Sequence, residues 1–255
     1  MDWIAIASGF GVGLIVGITG VGGGSLMTPL LLSVFKLNPA VAIGTDLWFA
    51  GLTKVSGSVA HARHGHVNWR ITSQLLAGSI PAALATVALM HLTGVTKGWA
   101  SALTFSLGIA LLLTAVVVAF RPFWQALGMR LERYLPESRK PALTVLAGVL
   151  LGFLVSLSSI GAGAIGATLI LLIYPRLEAR YIVGTDIAHA VPLTLVAGVG
   201  HATLGHVDWA LLVPLLIGSI PGIWLGAHAT RRLPDSLVRG LLCISLLMAG
   251  WKVIH

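Results

Sequence analysis

Residues 44–81 return 140 positions later without a gap, and no other feature constrains the fold of this chain as tightly. Gly44-Thr45-Asp46 recurs as Gly184-Thr185-Asp186, His61-Ala62 as His201-Ala202, Gly65-His66-Val67 as Gly205-His206-Val207, Trp69 as Trp209, and Gly78-Ser79-Ile80-Pro81 as Gly218-Ser219-Ile220-Pro221. Seventeen of the 38 aligned positions are identical. A shared apolar background explains the leucines; it does not place Asp, His, Trp and Pro in one register. The chain is a duplicated unit.

That unit belongs in a bilayer. With 56% apolar and 9% charged residues, a soluble domain of 255 residues would lack the charges to cover its surface. Apolar runs near the roughly 20 residues that span a bilayer recur along the chain. They predict helices over 40–60, 71–92, 99–120, 180–202, 209–230 and 235–254, with two longer apolar segments at 3–35 and 142–174. The formal charge of +8 comes from basic residues in short connections, which read as topology signals rather than a surface for nucleic acid. Asp2 and the lack of a basic n-region argue against a secretory signal. A single cysteine, Cys243, excludes an intrachain disulfide and leaves the compartment open.

The connections set the orientation of the two halves. If 3–35 and 142–174 each crossed once, Arg and Lys would divide almost evenly between the two sides. If each segment instead enters and returns, breaking at Gly20-Val21-Gly22-Gly23-Gly24 and at Gly161-Ala162-Gly163, the division becomes twelve to three. Arg63, Arg70, Arg121, Arg130, Arg133, Arg139, Lys140, Arg176, Arg180, Arg231, Arg232 and Arg239 then share one side, against Lys36, Lys97 and Lys252. Such a bias marks the cytoplasmic face, with both termini outside. Each half makes an odd number of net crossings, so the halves are expected to be inverted. Segments of about 33 residues at ~1.5 Å each are too long for one straight crossing and suit two short arms.

Residues 1–120 are read as repeat 1, 121–141 as a cytoplasmic linker and 142–255 as repeat 2, all within one transmembrane domain over 1–255. The fold class is an all-α polytopic membrane protein. In the linker, Trp124, Leu127, Leu131 and Leu135 recur at helical spacing opposite Arg130 and Arg133, which suits a helix on the membrane interface. A plain solvated linker is the alternative. Trp3, Trp69, Trp99, Trp209 and Trp251 sit near span ends, as an aromatic belt places them.

Inverted repeats with glycine-broken segments at matching positions point to a transporter whose substrate binds near the midplane. A break inside hydrocarbon exposes amides that need partners, and the positive end of a half-helix offers them to an anion. Gly22, Gly23, Gly24 and Ser25 at the first break, with Thr28 just beyond, and Gly161 and Gly163 at the second, are candidate anion-binding positions. Close helix packing is the structural alternative for these glycines.

The chain resembles the TauE/SafE sulfite exporters, also called the four-toluene-sulfonate uptake permease family. The resemblance rests on the break Gly20 to Ser25, the Gly-Thr-Asp helix starts, His61, Gly65, Val67, Asn68 and Trp69 with His201, Gly205, Val207, Asp208 and Trp209, and a Gly-Ser-Ile-Pro turn. It covers almost the whole chain. It implies export of sulfite or a related sulfur-containing or organic anion across a bacterial inner membrane. The expected partners are that small anion and the lipid bilayer, with a homodimer possible and no cofactor.

Asp46, Ala50, Lys54, Gly57 and His61 follow helical spacing on one face of the second helix. The other copy offers Asp186, Ala190, Thr194, Ala197 and His201, so Lys54 has no counterpart. An intramembrane lysine costs about 3 kcal/mol and marks a pathway. Lys54 is read as the cation that meets the anion, joined at the site by Thr45 and Thr185. Asp46 or Asp186 would neutralise it when the site is empty. Two helical turns, about 12 Å of rise, separate Lys54 from Asp46, so a direct pair would use Asp186. A structural ion pair and helix-start capping by the aspartates are the competing readings.

Asp46, His61, His66, Asp186, His189, His201 and His206 are candidates for proton coupling or gating. His61, His64 and His66 also have the spacing of a metal-ion transporter's ligands, although the second copy keeps only His201 and His206. A passive anion channel is a further alternative. An intramembrane enzyme is disfavoured, since the chain has no H-E-x-x-H and no G-x-S-x-G.

Overall fold

A computed structural model describes residues 3–19, 24–94, 97–229, 240, 243–244 and 246–251. The ordered chain is helical, in the sequence α1 (Trp3–Thr19), α2 (Gly24–Ser33), α3 (Pro39–Arg63), α4 (Trp69–Thr93), α5 (Lys97–Ala119), α6 (Arg121–Glu132), α7 (Lys140–Ser158), α8 (Ala164–Ile173), α9 (Ala179–Thr203) and α10 (Trp209–Ala229). The helix expected over 235–254 lies largely outside the described residues, of which 246–251 are helical.

Among the described residues, five helical stretches are long and apolar enough to cross a membrane: Trp69–Thr93, Ser101–Ala119, Glu137–Ser158, Ala179–Thr203 and Trp209–Gly226. Helix α3 matches α4 and α9 in length, at 25 residues. It is less apolar because it carries Asp46, Lys54, His61 and Arg63. The helix that composition marks least is the one that carries the candidate charges.

Local chemistry explains where these helices start. Asn38 caps α3, its side chain accepting the Val41 N–H at 3.0 Å, and Pro39 follows where no amide partner is needed. Asn68 and Asp208 cap α4 and α10 in matching fashion, accepting the N–H groups of Ile71 at 3.2 Å and Leu211 at 3.0 Å. Gly-Ser-Ile-Pro is not a turn. Pro81 and Pro221 lie inside α4 and α10, and Gly78 and Ser79 face α7 within the span. A proline in mid-helix is tolerated where neighbouring helices protect the freed backbone.

The segment 140–174 folds back on itself. Ser159 ends α7 in a left-handed conformation (φ 58°), and Gly161 and Gly163 follow at φ 126° and 145°, which a side chain would strain. Helix α8 then runs back until the Tyr174 hydroxyl lies 3.0 Å from Thr144 Oγ1, in the first turn of α7. The arms are unequal, 19 residues against 10. In the other long segment α1 has 17 residues and α2 has 10, and the break expected there falls on residues 20–23, outside the described residues.

Registers of contact give the helix directions. Gly148 lies against Leu75 and Gly152 against Ser79, so α4 and α7 run parallel; Gly9 against Leu215 and Gly13 against Ser219 set α1 and α10 the same way. Helices α3 and α9 run antiparallel, with Gly51 at Thr194 and Gly57 at Ile187. The core follows these pairs. One cluster holds Ile43 and Leu47 of α3 with Leu75 of α4, Leu151 and Val155 of α7 and Leu193 of α9. A second holds Ala5, Val12, Met27, Leu31, Phe49 and Leu215.

Helix α6 packs on protein as well as facing outward. Gly128 is buried against the Leu171 carbonyl of α8, while Trp124, Leu127 and Leu135 are half-buried and Leu131 is exposed. Glu132 anchors this end, bonded to Arg176 at 2.8 Å and lying 3.7 Å from the buried Lys140. Trp3, Trp69, Trp209 and Trp251 are exposed, whereas Trp99 packs against the first core cluster.

Candidate functional site at the second helix break

The repeated motifs meet each other across the two halves. The Asn68 N–H donates to Thr185 Oγ1 at 2.9 Å, and the Asp208 N–H donates to Thr45 Oγ1 at 2.9 Å. A Cβ on Gly44 would stand 1.9 Å from the His206 carbonyl oxygen, and one on Gly184 would stand 2.2 Å from that of His66. Each Gly-Thr pair therefore receives the His-Val-Asn/Asp loop of the opposite copy. The hydroxyls of Thr45 and Thr185, expected at the substrate, are engaged in these clamps.

Charged side chains gather between the clamps, around the break at 159–163. Asp46 and Asp186 are buried, and so are Ala50, Ala190, Thr194, Ala197 and His201 on the two expected faces. Lys54 donates to the Ala162 carbonyl at 2.6 Å. Thr28 Oγ1 of α2 donates to Asp46 Oδ2, and the Ser159 hydroxyl faces the same carboxylate without meeting hydrogen-bond geometry. Asp186 lies over the start of α8: its Oδ1 occupies the space beside Gly166 that a Cβ would fill, at 2.1 Å. Asp46 Oδ1 and Asp186 Oδ1 have no hydrogen-bond partner among the described residues.

Two expectations are corrected here. The aspartates do not cap their own helices, because α3 starts at Asn38 and α9 at Glu178, about two turns earlier in each case. They reach across to the half-helices instead, and carboxylates suit those positive ends. Lys54 forms no ion pair within 4.0 Å among the described residues, although both carboxylates lie within its electrostatic reach. A peptide carbonyl of the break takes the place expected for Asp186.

The second break thus brings Lys54, Asp46, Asp186, Gly161 and Gly163 together. Gly22 and Gly23 lie outside the described residues, and Gly24 and Ser25 open α2. Ser159 and Gly166 had no sequence signal beyond their nearness to the break. His189, fully buried, bonds Ser79 at 2.9 Å through Nε2 and leaves Nδ1 without a partner.

The other histidines sit away from the break. His201 Nε2 bonds the Ser156 carbonyl at 2.9 Å, and the His201 and His206 rings are 5.6 Å apart. In the loop before α10, burial and then the neighbouring His91 push the His206 pKa down. The His61 and His66 ring centroids are 6.0 Å apart and those of His64 and His66 5.8 Å. Among the described residues no three His, Cys, Asp or Glu side chains are placed to hold a metal ion. A cavity of about 840 Å³ between α4, α7 and α8 is lined by residues such as Leu89, Leu146 and Phe153 and shares none with the charged cluster.

Apolar helices long enough to span a bilayer, a helical hairpin and buried charges at its break are features of a multi-pass membrane protein of the transporter class. The chain belongs to the sulfite exporter TauE/SafE family, whose model matches residues 5–253. It is 38% identical over 252 residues to the probable membrane transporter protein YjnA of Bacillus subtilis (strain 168), with 98% of each chain covered. YdhB of the same strain, also a probable membrane transporter protein, is 30% identical over 94% of this chain and 95% of its own length. The probable membrane transporter protein MJ0441 of Methanocaldococcus jannaschii is 26% identical over 97% and 93%. No solved structure matches the chain.

Proposed function

We propose that the protein is a secondary transporter that exports sulfite or a related sulfur-containing or organic anion across the bacterial inner membrane, coupled to protons, by alternating access of two inverted repeats. The observation that carries this reading is the convergence of Lys54, Asp46 and Asp186 on the break between α7 and α8. Intramembrane charges that avoid direct pairing and border exposed peptide groups are suited to a transported ion.

The inversion is supported by helix direction. Helices α3 and α9 correspond across the repeat and run antiparallel, as a twofold axis in the membrane plane requires, and the parallel α4/α7 pair has its counterpart in the parallel α10/α1 pair. The two clamps then close opposite ends of the α3/α9 pair, so opening one while the other holds gives alternating access. His61 and His66 sit at one clamp, and His201 and His206 at the other, where protons can bias the exchange.

Counterflow in proteoliposomes loaded with sulfite tests this reading. External labelled sulfite should accumulate transiently, chloride and divalent cations should not compete, and an imposed pH gradient should drive net flux. Flux that ignores the gradient and shows no counterflow would identify a passive channel instead.

A further inference from the structure

We infer that the site at the second break selects a bipolar ligand: a small molecule with one singly anionic head and its own hydrogen-bond donor, a hydroxyl or an ammonium, a short spacer away from that head. This deepens the transport reading and rests on it.

The inference follows from how charge is arranged around residues 159–166. On one side the Lys54 ammonium, which has three donors, spends one on the Ala162 carbonyl. On the other, Asp186 is 3% exposed; the Gly163 backbone faces its carboxylate, while Oδ1, over Gly166, meets no hydrogen-bond donor among the described residues. Both groups border the same short stretch of backbone, and they remain more than 4.0 Å apart. Opposite charges that hold apart leave a positive pole and a negative pole bordering the same break.

Asp46, fully buried, adds a second unpartnered oxygen beside Ser159, whose hydroxyl is also unpartnered. The other titratable group facing Lys54 is His189 of α9, whose Nε2 is held by Ser79 of α4. Two carboxylates thus oppose one ammonium. A plain dianion would find its second charge uncompensated, and a plain monoanion would leave the Asp186 acceptor empty in an apolar span. A singly anionic head with a donor beyond it satisfies Lys54 and Asp186 at once. Short hydroxy- and aminosulfonates have this form.

Sites built to hydrogen-bond a ligand group reject analogues that lack it, because the buried partner is left unpaired. The test uses the full chain in proteoliposomes, with ethanesulfonate, 2-hydroxyethanesulfonate, 2-aminoethanesulfonate and sulfate competing against labelled sulfite counterflow. The two donor-bearing sulfonates should compete at concentrations at least ~10-fold below ethanesulfonate, and sulfate should be the weakest. In Asp186→Asn, which keeps an acceptor oxygen and loses the charge, the advantage of the amine over ethanesulfonate should fall to within ~3-fold. Equal competition by ethanesulfonate and the donor-bearing pair, or strongest competition by sulfate, would overturn the inference while sulfite counterflow persists. If sulfite shows no counterflow, the transport reading has failed. Thermal shifts of the purified protein with the same four compounds then decide selectivity alone, and the wild-type series decides it equally if Asp186→Asn does not insert.

Discussion

Lys54 is the residue on which the chemistry turns. Its place on one face with Asp46 and His61 was readable from spacing, because helical periodicity fixes which side chains share a direction. Its partner was not. Periodicity within α3 says nothing about which peptide group of α7–α8 arrives opposite, and the Ala162 carbonyl comes from 108 residues away. For the same reason the aspartates looked like helix caps: Gly-Thr-Asp has the composition of a helix start, while Asn38 and Glu178 begin the helices earlier. Lys54→Gln retains most of the length and removes the charge. The half-saturation concentration for sulfite should rise at least ~10-fold, the effect of losing about 1.4 kcal/mol of interaction, with membrane insertion unchanged. Unchanged affinity in Lys54→Gln would remove this lysine from the substrate path, whereas a loss of folded protein rescued by Asp186→Asn would identify a structural charge balance.

Among the elements, α3 and α9 organise the molecule. The glycines at 44 and 184 admit the opposite copy's loop carbonyl, and the threonines beside them accept its first capping N–H. Reading the two motifs separately hides this role, since each copy's Gly-Thr-Asp is complementary to the other copy's loop. Thr45→Val and Thr185→Val should each leave a buried amide without its acceptor and cost about 1–3 kcal/mol. Clamps at opposite ends of a helix pair are far enough apart for their stability losses to add. Thermal unfolding in detergent, followed for both single variants and the double variant, checks this. A double variant no less stable than either single would show that the clamps do not hold independently.

At the scale of the whole molecule the expected topology places residues 121–141 in the cytoplasm. A cysteine replacing the exposed Glu137, in a background lacking Cys243, should resist a membrane-impermeant maleimide added to intact cells and react after the membrane is opened. Labelling from outside would reverse the proposed orientation. The sequence by itself determined that the chain is membrane-embedded, helical and duplicated, and that its second long segment breaks at Gly161 and Gly163. Apolar length, period and self-similarity are properties of consecutive residues, and the bilayer leaves few ways to satisfy them. Only the tertiary structure decided what the repeated motifs touch. The Gly-Ser-Ile-Pro stretch lies inside a span because α7 covers Gly78 and Ser79, and the charged cluster forms because α8 folds back to bring Ala162 and Gly166 against α3 and α9. A contact between residues more than 100 positions apart depends on where the chain returns, and no local spacing records that.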